Sequence, residues 1–189
     1  MARDNISGVP SNAKRVFDGK IFDVYQWEQE LFDGTVGIFE KLKRDDTGQV
    51  IAVTTEKQII MLDQEQPGKD SFVGLPGGRI DAGEDALAGT KRELEEETGY
   101  VSDSWELYYK VNPFSKIDWT VHCYVARECR LERAQKLDAG EKIKIELVDF
   151  DRFIEIVLDD KFADWEIKVK LMKPMISGKI EEFKKYILG

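Results

Sequence analysis

The chain has 189 residues with 37 acidic and 28 basic side chains, which gives a formal net charge of −9 at pH 7. This balance argues against general nucleic-acid binding, which depends on basic patches. The length and the 42% hydrophobic content indicate one domain, or one domain with an extension. No segment approaches the ~20 apolar residues of a membrane-spanning helix, so we expect a cytoplasmic protein with no membrane partner.

The first half of the chain is predicted to consist mainly of strands. After roughly ten disordered residues, alternation of apolar and polar side chains predicts strands at residues 21–27, 35–43, 50–54 and 58–62. Asp33-Gly34 and residues 45–48 are typical of turns. We therefore divide the chain into an N-terminal extension with strands, residues 1–48, and a main domain, residues 49–189.

A helix is predicted after a loop that contains Gly74, Pro76, Gly77 and Gly78. Either Glu84 or Asp85 is suited to cap its first turn, and Gly99 is suited to the left-handed position that ends a helix. Two leucines seven residues apart lie on the face expected to enter the core, Leu87 and Leu94. Three glutamates share another face, at spacing i, i+3 and i+4: Glu93, Glu96 and Glu97.

The remaining elements are predicted to be three strands, at residues 105–111, 119–126 and 143–150, followed by three helices. Asp151 is expected to cap the first of these helices, and Pro174 is expected to end or kink the second. The two cysteines, Cys123 and Cys129, form no CxxC motif, and we expect both to be reduced and structural. His122 lies in an alternating run and is expected to be structural.

Three crowded carboxylates repel one another, and a hard divalent cation relieves that repulsion because Mg²⁺ prefers oxygen ligands. Such ions can neutralise charge on phosphoryl oxygens and help to activate a water molecule. Arg92 has a planar fork of donors that suits a carboxylate, and Glu84 is its candidate partner. The alternative is that this acidic helix face is simply solvated, which the flanking glycines and the distant Glu84 make less favourable.

The stretch GRIDAGEDALAGTKRELEEETGY, residues 78–100, resembles the signature box of the Nudix hydrolases. All its fixed positions are present, at the spacing G-x5-E-x7-R-E-U-x-E-E-x-G-U, where U is a bulky apolar residue. The one mild departure is Gly89-Thr90, where the family usually has two small residues. The resemblance implies an α/β (α+β) fold, with a mixed β-sheet sandwiched between helices and an N-terminal antiparallel β-meander.

The same resemblance implies the chemistry and the site residues. It implies dependence on Mg²⁺ or Mn²⁺ and hydrolysis of a nucleoside diphosphate linked to another group. The products would be a nucleoside monophosphate and a phosphorylated partner. Carried over by position, Glu93 and Glu97 are the main metal ligands and Glu96 an additional one. Arg92 orients a carboxylate, and Gly77 and Gly78 of the loop are expected to contact the substrate.

The N-terminal meander and the order of elements after the box resemble the branch of ADP-ribose pyrophosphatases and nucleotide-sugar hydrolases. The resemblance places Glu141 where that branch has its general base, with Asp138 in reserve, and it implies a homodimer. Pro113 matches a substrate-loop proline, although Phe114 follows it where the branch has glycine. Phe114 is expected to contact the nucleotide, and by analogy with the branch Trp27 or Phe32 is expected to contact it across the dimer. The alternative is that these aromatic residues belong to the core or the dimer interface.

Two alternative functions remain open from the sequence. One is a pyrophosphohydrolase of nucleoside triphosphates or oxidised nucleotides, although such small enzymes tend to lack an N-terminal extension. The other is a non-catalytic nucleotide sensor on the same fold, for which degenerate box glutamates would be typical; all of them are intact here.

Overall fold

The computed structural model describes residues 8–189, so the predicted disorder of the first ten or so residues lies largely outside the described part. The strands, in chain order, are β1 (Lys14–Phe17), β2 (Asp23–Glu30), β3 (Val36–Lys43), β4 (Thr47–Thr54), β5 (Ile59–Glu65), β6 (Phe72–Gly74), β7 (Gly77–Arg79), β8 (Tyr100–Val101), β9 (Ser104–Val111), β10 (Ile117–Asp118), β11 (Val121–Leu131) and β12 (Lys142–Val148). The helices are α1 (Ala86–Thr98), α2 (Phe150–Leu158), α3 (Trp165–Ile176) and α4 (Ile180–Leu188).

The N-terminal strands form a sheet of their own, in the order β1-β2-β3-β10. Strands β1 to β3 are antiparallel, as the predicted meander requires. The β2–β3 turn is closed by Asp33, whose carboxylate accepts a hydrogen bond from the Thr35 N–H at 3.0 Å. Strand β10 adds to β3 in parallel, so this sheet also takes in a segment from after the box helix. The division between residues 48 and 49 stays a prediction.

The second sheet is mixed and forms the centre of the molecule, with the order β12-β5-β4-β11-β8. Strands β4 and β11 are parallel, whereas β9 and β11 and also β5 and β12 are antiparallel. The short strand β7 pairs with β4, which places Gly77 opposite Gln49 and Gly78 opposite Gly48. This pairing fixes the glycine-rich loop against the central strand.

Helices cover both faces of the central sheet. Val50 and Ala52 of β4 face the cluster that contains Leu94 of α1, with Leu87 packed against it. The alternate residues of the same strand, Ile51 and Val53, face a cluster built from α2, α3 and α4. Because a buried central strand presents successive side chains to opposite faces, both faces of β4 are apolar. The expected sheet sandwiched between helices is confirmed.

Helix α1 has the predicted bounds and caps. The Asp85 carboxylate accepts hydrogen bonds from Leu87 N–H and Ala88 N–H at 3.0 and 3.1 Å, and Gly99 ends the helix at φ 74°. Thr90, the larger residue of the Gly89-Thr90 pair, lies against Gly48 of β4. A Cβ at Gly48 would overlap the Thr90 hydroxyl. Thr90 therefore packs directly on β4, and glycine at position 48 makes the contact possible.

The cap predicted for α2 was wrong. Asp149, not Asp151, is the N-cap residue, and its carboxylate accepts a hydrogen bond from Arg152 N–H at 2.8 Å. Asp151 lies in the first turn, where its charge still favours the positive end of the helix dipole. Helix α3 ends at Ile176, two residues after Pro174.

The remaining sequence expectations concern single residues and membrane spans. Cys123 and Cys129 are both free and buried. His122 is buried and lies 3.1 Å from Asp46, measured from Nε2 to Oδ2. No helix among residues 8–189 is long and apolar enough to cross a membrane.

Candidate active site

One cavity of about 570 Å³ brings the box together with two other parts of the chain. Its lining comes from the glycine-rich loop, from α1 and from the segment before β12: Gln64, Gln66, Gly77, Gly78, Arg79, Asp81, Arg92, Glu93, Glu96, Glu97, Lys136, Asp138 and Glu141. Polar and charged groups dominate this lining. The cavity therefore suits a charged ligand better than an apolar one.

Arg92 is bonded to three carboxylates of the box. Its Nε and Nη2 each lie 3.2 Å from an oxygen of Glu84, and its Nη1 lies 2.8 Å from a carboxylate oxygen of Glu93 and 3.0 Å from one of Glu96. The pairing with Glu84 confirms the predicted partner. These hydrogen bonds, led by the one to Glu84, raise the pKa of Arg92. In turn, the hydrogen bond from Arg92 lowers the pKa of Glu84.

Glu97 is the most deeply buried of the three glutamates, with 5% of its surface exposed. Its carboxylate accepts a hydrogen bond from the Gly77 N–H at 2.7 Å. Burial raises the pKa of Glu97 to about 9, and the nearby Glu93, Glu141 and Asp164 add to the rise. Burial also raises the pKa of Glu93, against the lowering effect of Arg92. Carboxyl groups are thus crowded and poorly solvated at this point, which favours their neutral forms when no cation is near.

Both glycines of the loop allow close approach of other groups. A Cβ at Gly77, which has φ 152°, would overlap the carbonyl oxygen of Gly48. A Cβ at Gly78 would overlap the carboxylate of Glu93. The absence of side chains at these two positions is therefore what lets the loop lie against both β4 and the box glutamates.

Glu141 reaches the same cavity from a different part of the chain. It follows a turn in which the Glu141 N–H donates to the Asp138 carbonyl at 3.0 Å. The Glu141 carboxylate accepts from the Asp138 N–H at 3.2 Å, so it is held by its own turn. Its charge contributes to the raised pKa values of Glu93 and Glu97.

Three residues predicted to bind substrate lie elsewhere on the surface of this chain. Trp27 lines a groove on the N-terminal sheet and packs on Phe39, with ring centroids 6.0 Å apart. Phe114 is 44% exposed and is stacked on Trp119, with centroids 6.1 Å apart and an interplanar angle of 17°. The lining of the box cavity includes none of Trp27, Phe114 and Pro113. Their roles in substrate binding therefore stay predictions.

The sequence interpretation missed two basic residues of the cavity, Arg79 and Lys136. Arg79 follows Gly78 directly, and its carbonyl oxygen accepts a hydrogen bond from Arg92 at 3.0 Å. Lys136 lies in an irregular segment, and its backbone N–H donates to the carbonyl oxygen of Glu96 at 2.8 Å. The position of Arg79 inside the box was a usable signal, whereas nothing in the local sequence marks Lys136.

The carboxylate oxygens of the box glutamates are the type of ligand that a hard divalent cation prefers. Glu93, Glu96 and Glu97 offer only oxygen ligands, and the buried Glu97 carboxylate would be stabilised by a nearby cation. Within residues 8–189, however, no three His, Cys, Asp or Glu side chains are arranged so that they could already hold an ion. Arg92 Nη1 instead donates hydrogen bonds to both Glu93 and Glu96.

Comparison with known proteins gives a consistent family assignment. A model of the NUDIX domain matches residues 44–170. The ADP-ribose pyrophosphatase of Bacillus subtilis (strain 168) is 32% identical over 149 residues, which cover 76% of this chain and 80% of the relative. The methanol dehydrogenase activator of Bacillus methanolicus is 29% identical over 155 residues, which cover 80% of this chain and 83% of the relative.

The fold has a match among solved structures. A crystal structure described as that of an ADP compounds hydrolase superposes with a TM-score of 0.70 at 19% identity, covering 89% of this chain and 94% of that chain. At this identity the match shows the shared fold. With the family model and the B. subtilis relative, it shows that the chain belongs to the Nudix family and is a pyrophosphohydrolase of that family, as the box predicted.

Proposed function

We propose that the protein hydrolyses the diphosphate bond of a nucleoside diphosphate linked to another group, with Mg²⁺ or Mn²⁺ as its cofactor. The observation that carries this proposal is the convergence of four glutamates on one cavity beside the glycine-rich loop: Glu93, Glu96, Glu97 and Glu141. A bound divalent ion would supply charge neutralisation at the phosphoryl oxygens and a more acidic water. Glu93, Glu96 and Glu97 would hold it.

The other residues of the cavity have complementary roles in this proposal. Arg92 orients Glu93 and Glu96, and the cations of Arg79 and Lys136 face the phosphate groups. Glu141 accepts a proton from the attacking water, whose oxygen forms a new bond to one phosphorus while the bridging P–O bond breaks. A nucleoside monophosphate and a phosphorylated partner leave.

ADP-ribose or a nucleotide sugar is the proposed substrate. The B. subtilis relative named ADP-ribose pyrophosphatase supports this choice, because the chain matches it over 80% of its length. Phe114 offers a ring that is 44% exposed, and exposed rings can stack on a nucleobase. Pro113, beside it in the same loop, and Trp27 in the N-terminal extension complete the proposed nucleotide contacts.

A homodimer in the cytoplasm is also part of the proposal. The N-terminal sheet carries exposed apolar side chains on β1 and β3, among them Phe17, Val36 and Ile38, of which Ile38 is 65% exposed. Large exposed apolar patches are typical of association surfaces. A dimer formed through this sheet would also explain why Trp27, which lies away from the cavity in its own chain, can take part in nucleotide binding.

The experiment that tests the proposal is product analysis on a panel of ADP-ribose, nucleotide sugars, dinucleotides and nucleoside triphosphates, with Mg²⁺ or Mn²⁺. Glu97→Gln removes the buried ligand. Glu95→Gln is the matched control, because Glu95 lies on the same helix and pairs with Arg133 outside the cavity. We expect AMP from ADP-ribose in the unmodified protein and in Glu95→Gln, and no turnover in Glu97→Gln.

Other results would change the conclusion. Preferred cleavage of nucleoside triphosphates would assign the protein to the nucleotide-sanitising type. Binding of ADP-ribose without AMP release under both metals would identify a sensor. Turnover in Glu97→Gln equal to that of Glu95→Gln would remove the box from the mechanism.

A further inference from the structure

Asp164 occupies the N-cap position of α3 but makes no side-chain hydrogen bond to that helix. Its carboxylate reaches the glycine-rich loop instead. Oδ2 accepts a hydrogen bond from the Leu75 N–H at 2.7 Å, and Oδ1 accepts one from the Gln49 side-chain amide at 2.7 Å. Both oxygens therefore serve groups outside their own helix, although an aspartate at this position usually caps it.

Both partners of Asp164 are neighbours of Gly77. Gln49 stands opposite Gly77 in the β4–β7 pairing, and Leu75 precedes it by two residues. Gln49 is 7% exposed, and its Oε1 has no hydrogen-bond partner among residues 8–189. The orientation of this amide is therefore set by its bond to Asp164. A Cβ at Gly74 would lie 3.1 Å from Asp164 Oδ2, so the loop backbone is packed against the carboxylate.

Gly77 in turn donates its N–H to the carboxylate of Glu97 at 2.7 Å. A continuous set of hydrogen bonds and strand pairing thus links the start of α3 to the buried glutamate of the cavity. We propose that Asp164 is a positioning residue, which fixes Leu75 and Gln49 and thereby holds the Gly77 N–H where it orients Glu97. The consequence for metal binding rests on the proposed function, whereas the consequence for the loop does not.

Two variants separate the hydrogen bonds of Asp164 from its charge. Asp164→Ala removes both acceptors and leaves two buried donors unpaired, which is costly. Asp164→Asn keeps an acceptor for Leu75, and the Gln49 amide can turn its oxygen towards the new NH2 group. Gln49→Leu removes one of the two bonds at similar volume, and it carries the test if Asp164→Ala does not fold.

Amide hydrogen exchange of Gly77, measured by NMR on the metal-free protein, tests the positioning of the loop without any metal. We expect exchange at Gly77 to be about tenfold faster in Asp164→Ala. The reason is that the glycine-rich loop opens more readily once it has lost its contacts with Asp164. Gln49→Leu should give a smaller increase, and Asp164→Asn should stay near the unmodified protein. Unchanged exchange in both Asp164→Ala and Gln49→Leu would overturn the proposal.

Mn²⁺ affinity, measured by electron paramagnetic resonance of the free ion, tests the effect on the cavity. Loss of groups that orient metal ligands typically costs about 10–100-fold in affinity or activity. We expect a loss of at least about tenfold in Asp164→Ala, with a matching fall in kcat for ADP-ribose, and near-normal values in Asp164→Asn. Asp149→Ala is the control, because it removes a true helix cap that lies outside the cavity lining.

The outcomes are distinguishable. Equal Mn²⁺ affinity in Asp164→Ala and Asp149→Ala would overturn the positioning role. An equally large loss in Asp164→Asn would assign the effect to the charge of Asp164 and would also overturn it. Absence of Mn²⁺ binding in the unmodified protein, with faster exchange at Gly77 in Asp164→Ala, would remove the proposed metal-dependent function and leave the positioning of the loop intact.

Discussion

Arg92 and Glu84 form a two-bond pair within the box, with Nε and Nη2 of the arginine each 3.2 Å from a different carboxylate oxygen. The pair leaves Nη1 of Arg92 free to donate hydrogen bonds to Glu93 and Glu96. Glu84 thus fixes the plane of the guanidinium, and the guanidinium fixes the orientation of two proposed metal ligands, Glu93 and Glu96. Glu84 and Arg92 are eight positions apart in the sequence, and Glu84 lies in the loop that precedes α1, so the pairing depends on the conformation of that loop.

Arg92→Lys should lower kcat, because an ammonium group is a point charge and cannot serve three carboxylates with a planar fork. We expect a loss of about 10–100-fold, the usual cost of removing a group that orients metal ligands, with the KM for ADP-ribose changed less. Steady-state kinetics with Mg²⁺ measures both. Arg152→Lys is the matched control, since Arg152 pairs with Glu155 at the surface. Full activity in Arg92→Lys would show that the fork is dispensable.

Glu141→Gln should keep Mn²⁺ affinity and KM but lose most turnover. The glutamine oxygen can still accept the hydrogen bond of the Asp138 N–H, so the turn is expected to persist. General-base catalysis typically contributes about 10²–10⁴-fold, and we expect kcat to fall within that range.

Asp138→Asn provides the comparison for this variant, because Asp138 lines the same cavity and is the reserve candidate for the base. A large loss of kcat in Asp138→Asn alone would transfer the role to Asp138. An unchanged kcat in both variants would leave the proton to one of the box glutamates.

The parts of the fold that the sequence predicts well are those specified by local signals. Helix α1 has an acidic cap at Asp85, a glycine at Gly99 and an apolar stripe through Leu94, and all three can be recognised from the sequence of the helix and its flanks. The cap of α2 was misplaced by two residues, because Asp149 and Asp151 are equally good cap residues and the choice depends on where β12 ends. Helix ends are set by such tertiary limits as well as by propensity.

The parts that the sequence does not predict depend on distant contacts. Strands β7 and β10 contain three and two residues, too few for a periodic pattern, and they are strands only because β4 and β3 pair with them. Asp164 lies 89 residues from Leu75 and has the local features of an ordinary helix cap. Glu141 was found by resemblance to a family, since nothing in its own turn distinguishes it from a solvated glutamate.

Gly77→Ala should destabilise the protein, because the new Cβ would overlap the Gly48 carbonyl oxygen and the residue has φ 152°. Overpacking and an unfavourable backbone conformation each cost roughly 1–3 kcal/mol, so we expect at least about 2 kcal/mol. Urea denaturation measures the free energy of unfolding. Gly140→Ala is the control, since a Cβ there would meet no atom within 4 Å, and it should change stability by less than about 0.5 kcal/mol. Equal stability of the two variants would contradict the close approach of the loop to β4.

Asp149→Ala should cost about 1 kcal/mol of stability, the usual value of an N-cap carboxylate, because Arg152 N–H loses its acceptor. Asp151→Ala should cost less, since Asp151 only pairs with Lys184 at 3.3 Å on the surface and such pairs contribute about 0–1 kcal/mol. Thermal or urea unfolding of the two variants side by side decides between them. A larger cost for Asp151→Ala would restore Asp151 as the cap.

The pH dependence of stability should differ between the unmodified protein and Asp164→Asn. Burial raises the pKa of Asp164 from its ordinary value of 3.8 to about 7, with Glu166 adding to the rise and with Leu75 N–H, Gln49 and Lys69 opposing it. The charge of Asp164 also adds to the raised pKa of Glu97, so its removal acts on Glu97 in the same direction. A carboxyl with a raised pKa binds its proton more tightly in the folded state. Its contribution to stability is therefore complete below pH 4 and is lost as the pH rises towards and through 7.

Asp164→Asn removes this titration and leaves the other groups in place. The free energy of unfolding should therefore fall less steeply between pH 4 and pH 7 in Asp164→Asn than in the unmodified protein, so the variant gains relative stability as the pH rises. Urea denaturation at half-unit pH intervals measures the two curves, and equal slopes of urea dependence confirm that the same surface unfolds. Parallel curves across this range would mean that Asp164 has the same pKa in the folded and unfolded states. The hydrogen bonds from Leu75 and Gln49, which lower the pKa of Asp164, would then offset the effect of burial in full.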